Sequence, residues 1–175
     1  HQNSLEHLEM ENINQQLSMI LNNFTKLHTI SAAFISPNLT KTERITTLSI
    51  ENLKTTTSQQ FPNLKNLTIF CANRFSSFNQ TPINFECTFE HLESLTFKGQ
   101  KPKIHPKRPF YGYFTRETQC ELRTCPSWLI QYLQKPETKL KLLKLTYLRI
   151  SREVQQAIDE NREKIEKLEI DDCEE

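Results

Sequence analysis

The residues of this chain with the most distinctive chemistry lie between Lys98 and Arg116, where positive charges and aromatic rings are interleaved. The segment contains no acidic residue. Lysine and arginine neutralise phosphates, and exposed rings stack on unpaired bases, as in proteins that hold RNA or single strands. We therefore predict that this segment binds nucleic acid, with the candidate residues Lys98, Lys101, Lys103, Lys107, Arg108, Phe110, Tyr111, Tyr113 and Arg116.

The same segment is predicted to be a loop. Pro102, Pro106 and Pro109 disfavour helix and sheet and favour extended backbone. The whole chain has a net charge of +1, so the basic character is local. We interpret residues 98–119 as an insertion in the surrounding domain. The alternative to nucleic-acid binding is that this insertion is only solvated and that its aromatic side chains fold back on the domain.

No pattern typical of a catalytic site occurs in the sequence. It lacks G-x-S-x-G, a glycine-rich phosphate loop and H-E-x-x-H, and its histidines are scattered singly at positions 1, 7, 28, 91 and 105. We therefore predict a protein that is not an enzyme, with no catalytic residue and no cofactor.

The cysteines suggest a zinc site only superficially. Cys120 and Cys125 have the spacing of a ligand pair, with His105 and Cys87 upstream, but a second close pair is missing. The sequence predicts no bound metal. The interpretation that fits their apolar neighbourhoods is buried free thiols at Cys71, Cys87, Cys120, Cys125 and Cys173.

A short phrase recurs along the chain: an apolar residue, two variable residues, an apolar residue, one variable residue and a third apolar residue. Recurrence of this kind indicates stacked units. The middle apolar residue marks each copy: Leu8, Leu48, Leu67, Leu95 and Leu168, with weaker copies at Ile30 and Leu148. Leu122 divides the longest interval, which gives eight units.

The phrase alternates with period two, as a short strand requires, and helical spacing follows it. Ile13, Leu17, Ile20, Leu21 and Phe24 form one such pattern. A second helix is predicted at Val154, Ala157, Ile158 and Asn161 with Ser151 as its N-cap, a third at Trp128, Leu129, Tyr132 and Leu133, and a helical turn from the capping-box spacing of Thr40 and Glu43. This alternation predicts an α/β solenoid with a concave parallel sheet and helices or irregular turns on its convex side.

Three segments resemble leucine-rich repeats of the irregular, cysteine-containing kind found in substrate-receptor proteins. They are residues 45–53, 61–71 and 165–173. The resemblance covers most of the chain and implies a single leucine-rich-repeat-like domain over residues 1–175. It also implies, as one alternative, the substrate-receptor part of a ubiquitin ligase.

The concave face of a solenoid is its usual binding surface, and binding hot spots favour Tyr, Trp and Arg. The outward strand positions of the middle units are almost all Ser, Thr and Asn. That pattern fits either a polar groove for a peptide or a solvated strand face. The predicted partner-binding anchors are Arg123, Tyr147, Arg149 and Lys167.

These observations favour a protein-interaction module that docks onto a larger protein or ribonucleoprotein assembly. No apolar run reaches the roughly 20 residues that span a bilayer, so no membrane contact is predicted. We expect a cytoplasmic protein. The alternative is a secreted or surface-exposed recognition module, favoured by the cysteines and by four glycosylation sequons, at Asn23, Asn38, Asn66 and Asn79.

Overall fold

The computed structural model describes residues 4–36, 38–50, 61–71, 89–101 and 122–174. The described strands are β1 (His7–Ile13), β2 (Thr29–Ile35), β3 (Thr47–Ile50), β4 (Asn66–Cys71), β5 (Ser94–Gly99), β6 (Arg123–Thr124), β7 (Leu140–Thr146), β8 (Leu148–Arg149) and β9 (Ile165–Asp171). The described helices are α1 (Gln15–Leu21), α2 (Trp128–Gln134) and α3 (Arg152–Glu160). The fold is therefore mixed α/β.

Seven of these strands form one parallel sheet in the order β1-β2-β3-β4-β5-β7-β9. Within this sheet, the strands lie side by side in the order in which they occur along the chain, and β6 and β8 are not part of it. One row of paired residues crosses all seven strands, namely Leu8, Ile30, Leu48, Leu67, Leu95, Leu143 and Leu168. Six of the seven are the marker residues of the recurrent phrase, so its use as a strand marker is confirmed for those units.

The two exceptions lie near the C-terminal end of the chain. Leu148 belongs to β8, which pairs with β6 in a separate two-stranded sheet, and Leu122 lies immediately before β6. Assigning Leu122 and Leu148 to the main sheet was wrong, because Leu143 takes the place predicted for them. Its strand β7 pairs directly with both β5 and β9.

The backbone repeats the same hydrogen bonds where successive strands begin. One carbonyl accepts from two consecutive amides of the next unit, at 2.8 to 3.2 Å, and these carbonyls belong to Glu6, His28, Thr46, Lys65 and Glu93. A tight turn precedes three of the strands, with amide-to-carbonyl bonds from Ile45 to Thr42, Leu64 to Phe61 and Leu92 to Phe89. Successive units therefore have the same backbone hydrogen bonds at the start of the strand, in addition to the same parallel pairing along it.

The core lies between the helices and one face of the sheet. The strand leucines form a single buried cluster with Trp128, Leu129, Tyr132 and Leu133 of α2 and with Val154 and Ile158 of α3. The Ser151 side chain accepts a hydrogen bond from the amide of Val154 at 3.4 Å, so the predicted cap of α3 is confirmed. The predicted α2 is confirmed as well.

The first predicted helix was only partly right. Ile13 belongs to β1 rather than to the helix, and Ile20 is 55% exposed. Helix α1 starts after Asn14, whose side-chain oxygen accepts from the amide of Leu17 at 2.9 Å. The segment Thr40 to Glu43 leads into a single turn, closed by the bond from the Ile45 amide to the Thr42 carbonyl, and no helix follows it.

Gly99 brings two parts of the fold into close contact. It pairs with Cys71, as the preceding Lys98 pairs with Phe70, so both residues are part of β5 and not of a loop. The predicted start of the insertion at residue 98 was therefore wrong. A Cβ atom at Gly99 would lie 1.8 Å from the backbone oxygen of Tyr147. Only glycine, which has no Cβ atom, fits at this position.

Candidate partner-binding face

The face of the sheet that points away from the core is polar along most of its width. One row of outward residues crosses the sheet as Ser31, Ser49, Thr68, Thr96, Lys144 and Glu169. All six are partly exposed, while their neighbours along each strand from β2 to β7 are buried. A wholly parallel sheet is normally covered on both faces, so a partly exposed face of this width is unusual.

A groove of about 830 Å³ lies on this face, across β3, β4, β5, β7 and β9. Three partly exposed hydroxyl side chains line the groove, those of Ser49, Thr68 and Thr96, whereas the hydroxyl oxygen of Thr146 in its lining is buried. Lys98 and Tyr147 line it as well, beside the point where Gly99 meets the Tyr147 backbone. The groove can hydrogen-bond an extended chain and offers a cation and a ring as additional contacts.

Two lysines lie against aromatic rings in this part of the sheet. The Lys98 ammonium is 5.9 Å from the centroid of the Phe70 ring, and the Lys101 ammonium is 6.0 Å from that of Tyr147. Both distances fall within the range of cation–π contacts. Both lysines are exposed, so their charges face solvent and are available to an anionic group.

Charges on β7 and β9 are paired across the strands. Lys144 Nζ lies 2.7 Å from Glu169 Oε2 and 3.0 Å from Asp171 Oδ2, and Lys167 Nζ lies 2.6 Å from Glu169 Oε1. These hydrogen bonds, from Lys144 and then from Lys167, lower the pKa of Glu169 to about 2. The bonds to Glu169 and Asp171 raise the pKa of Lys144 above its usual value.

A similar contact joins β4, β5 and β7 where they begin. Glu93 Oε2 lies 2.8 Å from Lys141 Nζ, and Glu93 Oε1 lies 3.7 Å from Lys65 Nζ. The hydrogen bond from Lys141 lowers the pKa of Glu93. The outward face is therefore an ordered polar surface, with paired charges at one side of the groove.

The four predicted anchors do not form one site. Tyr147 lines the groove, but it adopts a left-handed backbone with φ of 54° between β7 and β8. Arg123 and Arg149 belong to the two-stranded sheet, where Arg149 lies 3.7 Å from Glu174. Lys167 is bound to Glu169. Placing Arg123 and Arg149 on the main sheet was wrong, because β7 occupies the position expected for their strands.

Of the predicted nucleic-acid-binding residues, Lys98 and Lys101 lie beside the groove. The other seven lie outside the described residues, namely Lys103, Lys107, Arg108, Phe110, Tyr111, Tyr113 and Arg116. Phe70 and Lys144 also line the groove, but the sequence analysis did not name them as binding residues. Both follow an apolar strand residue by one position, so the period-two pattern identifies them once the correct strand is chosen.

Three cysteines lie in the described part of the chain. Cys71 and Cys125 are buried, as predicted, whereas Cys173 is only partly buried; Cys125 and Cys173 are free thiols. Burial raises the pKa of Cys125 far above its usual value. Cys87, Cys120 and His105 lie outside the described residues.

Among the described residues, one group of side chains with metal-ligating atoms lies close together. Glu6, His7 and His28 each place a ligand atom within 4.8 Å of the others at the outer strand of the sheet. Sequence reasoning missed this group because it treated the histidines as isolated. The signal was available, since His7 and His28 both lie at the start of a predicted strand.

Comparison of the chain with protein-family models, with curated proteins and with solved structures gives no match in any of the three. Among the described residues, no helix combines the length and the apolar character needed to cross a membrane.

Proposed function

We propose that this protein is a non-catalytic interaction module of leucine-rich-repeat type, and that the outward face of its parallel sheet binds a protein partner. The observation that carries the proposal is the groove of about 830 Å³ across that face. The partly exposed hydroxyl groups of Ser49, Thr68 and Thr96 can hydrogen-bond to the backbone of an extended peptide, and the face has no covering layer among the described residues.

The repeat character of the backbone supports the leucine-rich-repeat part of the proposal. Five successive strand entries use one carbonyl to bind two amides of the next unit. All seven strands are parallel and follow chain order. Stacked units of this kind bury a continuous core on one side and present an extended surface on the other, which is typical of binding scaffolds rather than enzymes.

The aromatic and cationic corner of the groove is the part that we expect to contribute most to binding. An aromatic ring with a lysine beside it gives a rigid apolar surface next to a positive charge. Threonine and serine contribute mainly shape and hydrogen bonds. Phe70, Lys98, Lys101 and Tyr147 form this corner. A partner segment that carries a carboxylate next to an apolar or aromatic side chain fits it best.

The proposal is tested by proximity cross-linking of the native protein in its own cell extract, followed by purification of the captured partner. Thr68→Arg and Thr96→Arg place a long charged side chain in the centre of the groove and are expected to weaken partner binding at least tenfold. Gln131→Arg makes the same kind of change on the exposed surface of α2 and serves as the matched control. Equal binding by all three variants would contradict the proposal.

A contact with RNA through residues 98–116 is a second candidate, favoured by the exposed positions of Lys98 and Lys101 beside two rings. Reversing the charges of Lys103, Lys107 and Arg108 should abolish binding to single-stranded RNA, and each lost phosphate contact should flatten the salt dependence by about 0.7 in logarithmic slope. The control reverses three exposed lysines elsewhere: Lys26, Lys41 and Lys139. Loss of binding in the control alone, or unchanged binding in the first variant, refutes the contact.

A further inference from the structure

Two histidines that are distant in the sequence meet at the outermost pair of strands. The backbone carbonyl of Glu6 accepts hydrogen bonds from the amides of His28 and Thr29, at 3.1 and 3.2 Å, which sets Glu6 and His7 beside His28. The rings of His7 and His28 lie edge to face, with centroids 4.8 Å apart and planes at 78°. The Glu6 carboxylate lies 4.0 Å from Nε2 of His28.

We propose that Glu6, His7 and His28 form a binding site for a divalent ion of the zinc class. The site offers two imidazole nitrogens and one carboxylate oxygen, with ligand atoms within 4.8 Å of one another. Three such ligands leave a fourth tetrahedral position for water, which is a common arrangement for zinc. Mg²⁺ and Ca²⁺ prefer sites built from oxygen alone and fit this donor set poorly.

The distances allow the site to close around an ion. Zinc bonds of about 2.1 Å place tetrahedral ligand atoms about 3.4 Å apart, so no separation between ligand atoms must shorten by more than about 1.4 Å. The side chains of Glu6 and His28 are 55% and 43% exposed, so they have room to adjust around an ion.

Thr29 orients one of the ligands. Its hydroxyl oxygen lies 3.1 Å from Nδ1 of His28. In the tautomer that carries its proton on Nδ1, this nitrogen donates to Thr29 and leaves the lone pair of Nε2 for the ion. An outer hydrogen bond of this kind fixes the ring of a metal-binding histidine, and its loss typically weakens metal binding by about 10 to 100-fold.

A bound ion would tie β1 to β2 at one edge of the sheet, whereas the groove lies across β3 to β9. The site is therefore independent of the proposed partner-binding function. Metal binding without partner binding, or the reverse, would separate the two proposals.

The test is isothermal titration of the full chain with zinc chloride in a chelator-free buffer. His7→Gln and His28→Gln should each weaken zinc binding at least about tenfold, since each removes a direct ligand. His91→Gln removes an exposed histidine from the turn before β5 and should leave the affinity unchanged. Absence of zinc binding, or equal affinity in all three variants, would overturn the proposal.

A second measurement identifies the ligands without relying on variants. Zinc chloride should shift the imidazole ring signals of His7 and His28 in a carbon–proton NMR spectrum, while the signals of His91 stay in place. Magnesium chloride at the same concentration should shift none of the three. Zinc-dependent shifts at other histidines, with His7 and His28 unchanged, would assign the ion elsewhere and refute the site.

Discussion

Replacing Gly99 with alanine is expected to lower the free energy of unfolding by about 3 kcal/mol. The added Cβ would lie 1.8 Å from the backbone oxygen of Tyr147 and 2.8 Å from its carbonyl carbon. Ordinary contact requires about 3.4 Å, so the two backbones must separate by about 1.6 Å. No side-chain rotation relieves the clash, because both partners are backbone.

The surrounding hydrogen bonds resist that separation. The Tyr147 amide donates to the Asp171 carbonyl at 3.1 Å, and the Leu148 carbonyl accepts from the Glu174 amide at 2.9 Å. Losing one or both costs about 1 kcal/mol each, and overpacking adds about 1 to 3 kcal/mol. The entropy that alanine removes from the unfolded chain returns less than about 1 kcal/mol. The balance is a loss of about 3 kcal/mol.

The assay is urea unfolding followed by the fluorescence of Trp128, the only tryptophan in the chain. For a chain of this size, the same loss in the free energy of unfolding would lower the melting temperature in a thermal unfolding experiment by about 6 to 12 °C. Gln100→Ala, at the exposed neighbouring position, is the control and should change the stability by less than about 0.5 kcal/mol. A Gly99→Ala protein as stable as this control would refute the close contact between β5 and the Tyr147 turn.

Three further predictions concern the charged strands, the core and the thiols. The pKa of Glu169 is near 2, below its ordinary value of 4.5, so the stabilisation from this carboxylate is complete above about pH 4.5 and is lost as the pH falls toward 2. Lys144→Met should raise the pKa of Glu169 measured by NMR and reduce that acid-dependent loss; an unchanged pKa would contradict the cross-strand pair. Trp128 is 6% exposed and packs on Phe97 with ring centroids 5.1 Å apart, so Trp128→Ala should lower the free energy of unfolding by about 3 to 5 kcal/mol in urea titrations followed by circular dichroism. A loss under about 1 kcal/mol would show that the ring is not part of the core. Burial raises the pKa of the Cys125 thiol, so iodoacetamide should modify it only after unfolding, as measured by peptide mass spectrometry. Rapid labelling of the folded protein would contradict its burial.

The strand pattern was predictable because the core leaves little freedom of register. A shift of one residue would turn every strand leucine to the polar face, so Leu8, Ile30, Leu48, Leu67 and Leu95 could be aligned from the sequence alone. The polar outward residues then follow by alternation.

The C-terminal part was harder because the phrase occurs there in two overlapping frames. Leu140, Leu143 and Leu145 form one copy, and Leu145, Leu148 and Ile150 form another. The first copy enters the main sheet and the second leads into β8. Both frames bury the same kinds of side chain, so periodicity cannot choose between them. The choice depends on which strand can reach β5, which is a tertiary constraint.

The candidate site was predictable only in part for the same reason. Tyr147 was selected from its residue type, yet its position depends on a left-handed turn and on a glycine from another strand. The cluster of Glu6, His7 and His28 depends on the spacing between two adjacent units. Both features arise from how units stack, and a search of the sequence for local motifs does not detect them.

The order of the main sheet also has a consequence for cooperativity. Among the described strands, each strand of that sheet pairs with those beside it in the sheet order, and the outer strands β1 and β9 each pair with one of them. In repeat proteins, the class that we propose for this chain, stability is close to a sum of local terms between neighbours, and we expect opening to start at an end and to spread inward one strand at a time. We therefore expect a disturbance at one edge of the sheet to weaken before it reaches the other edge.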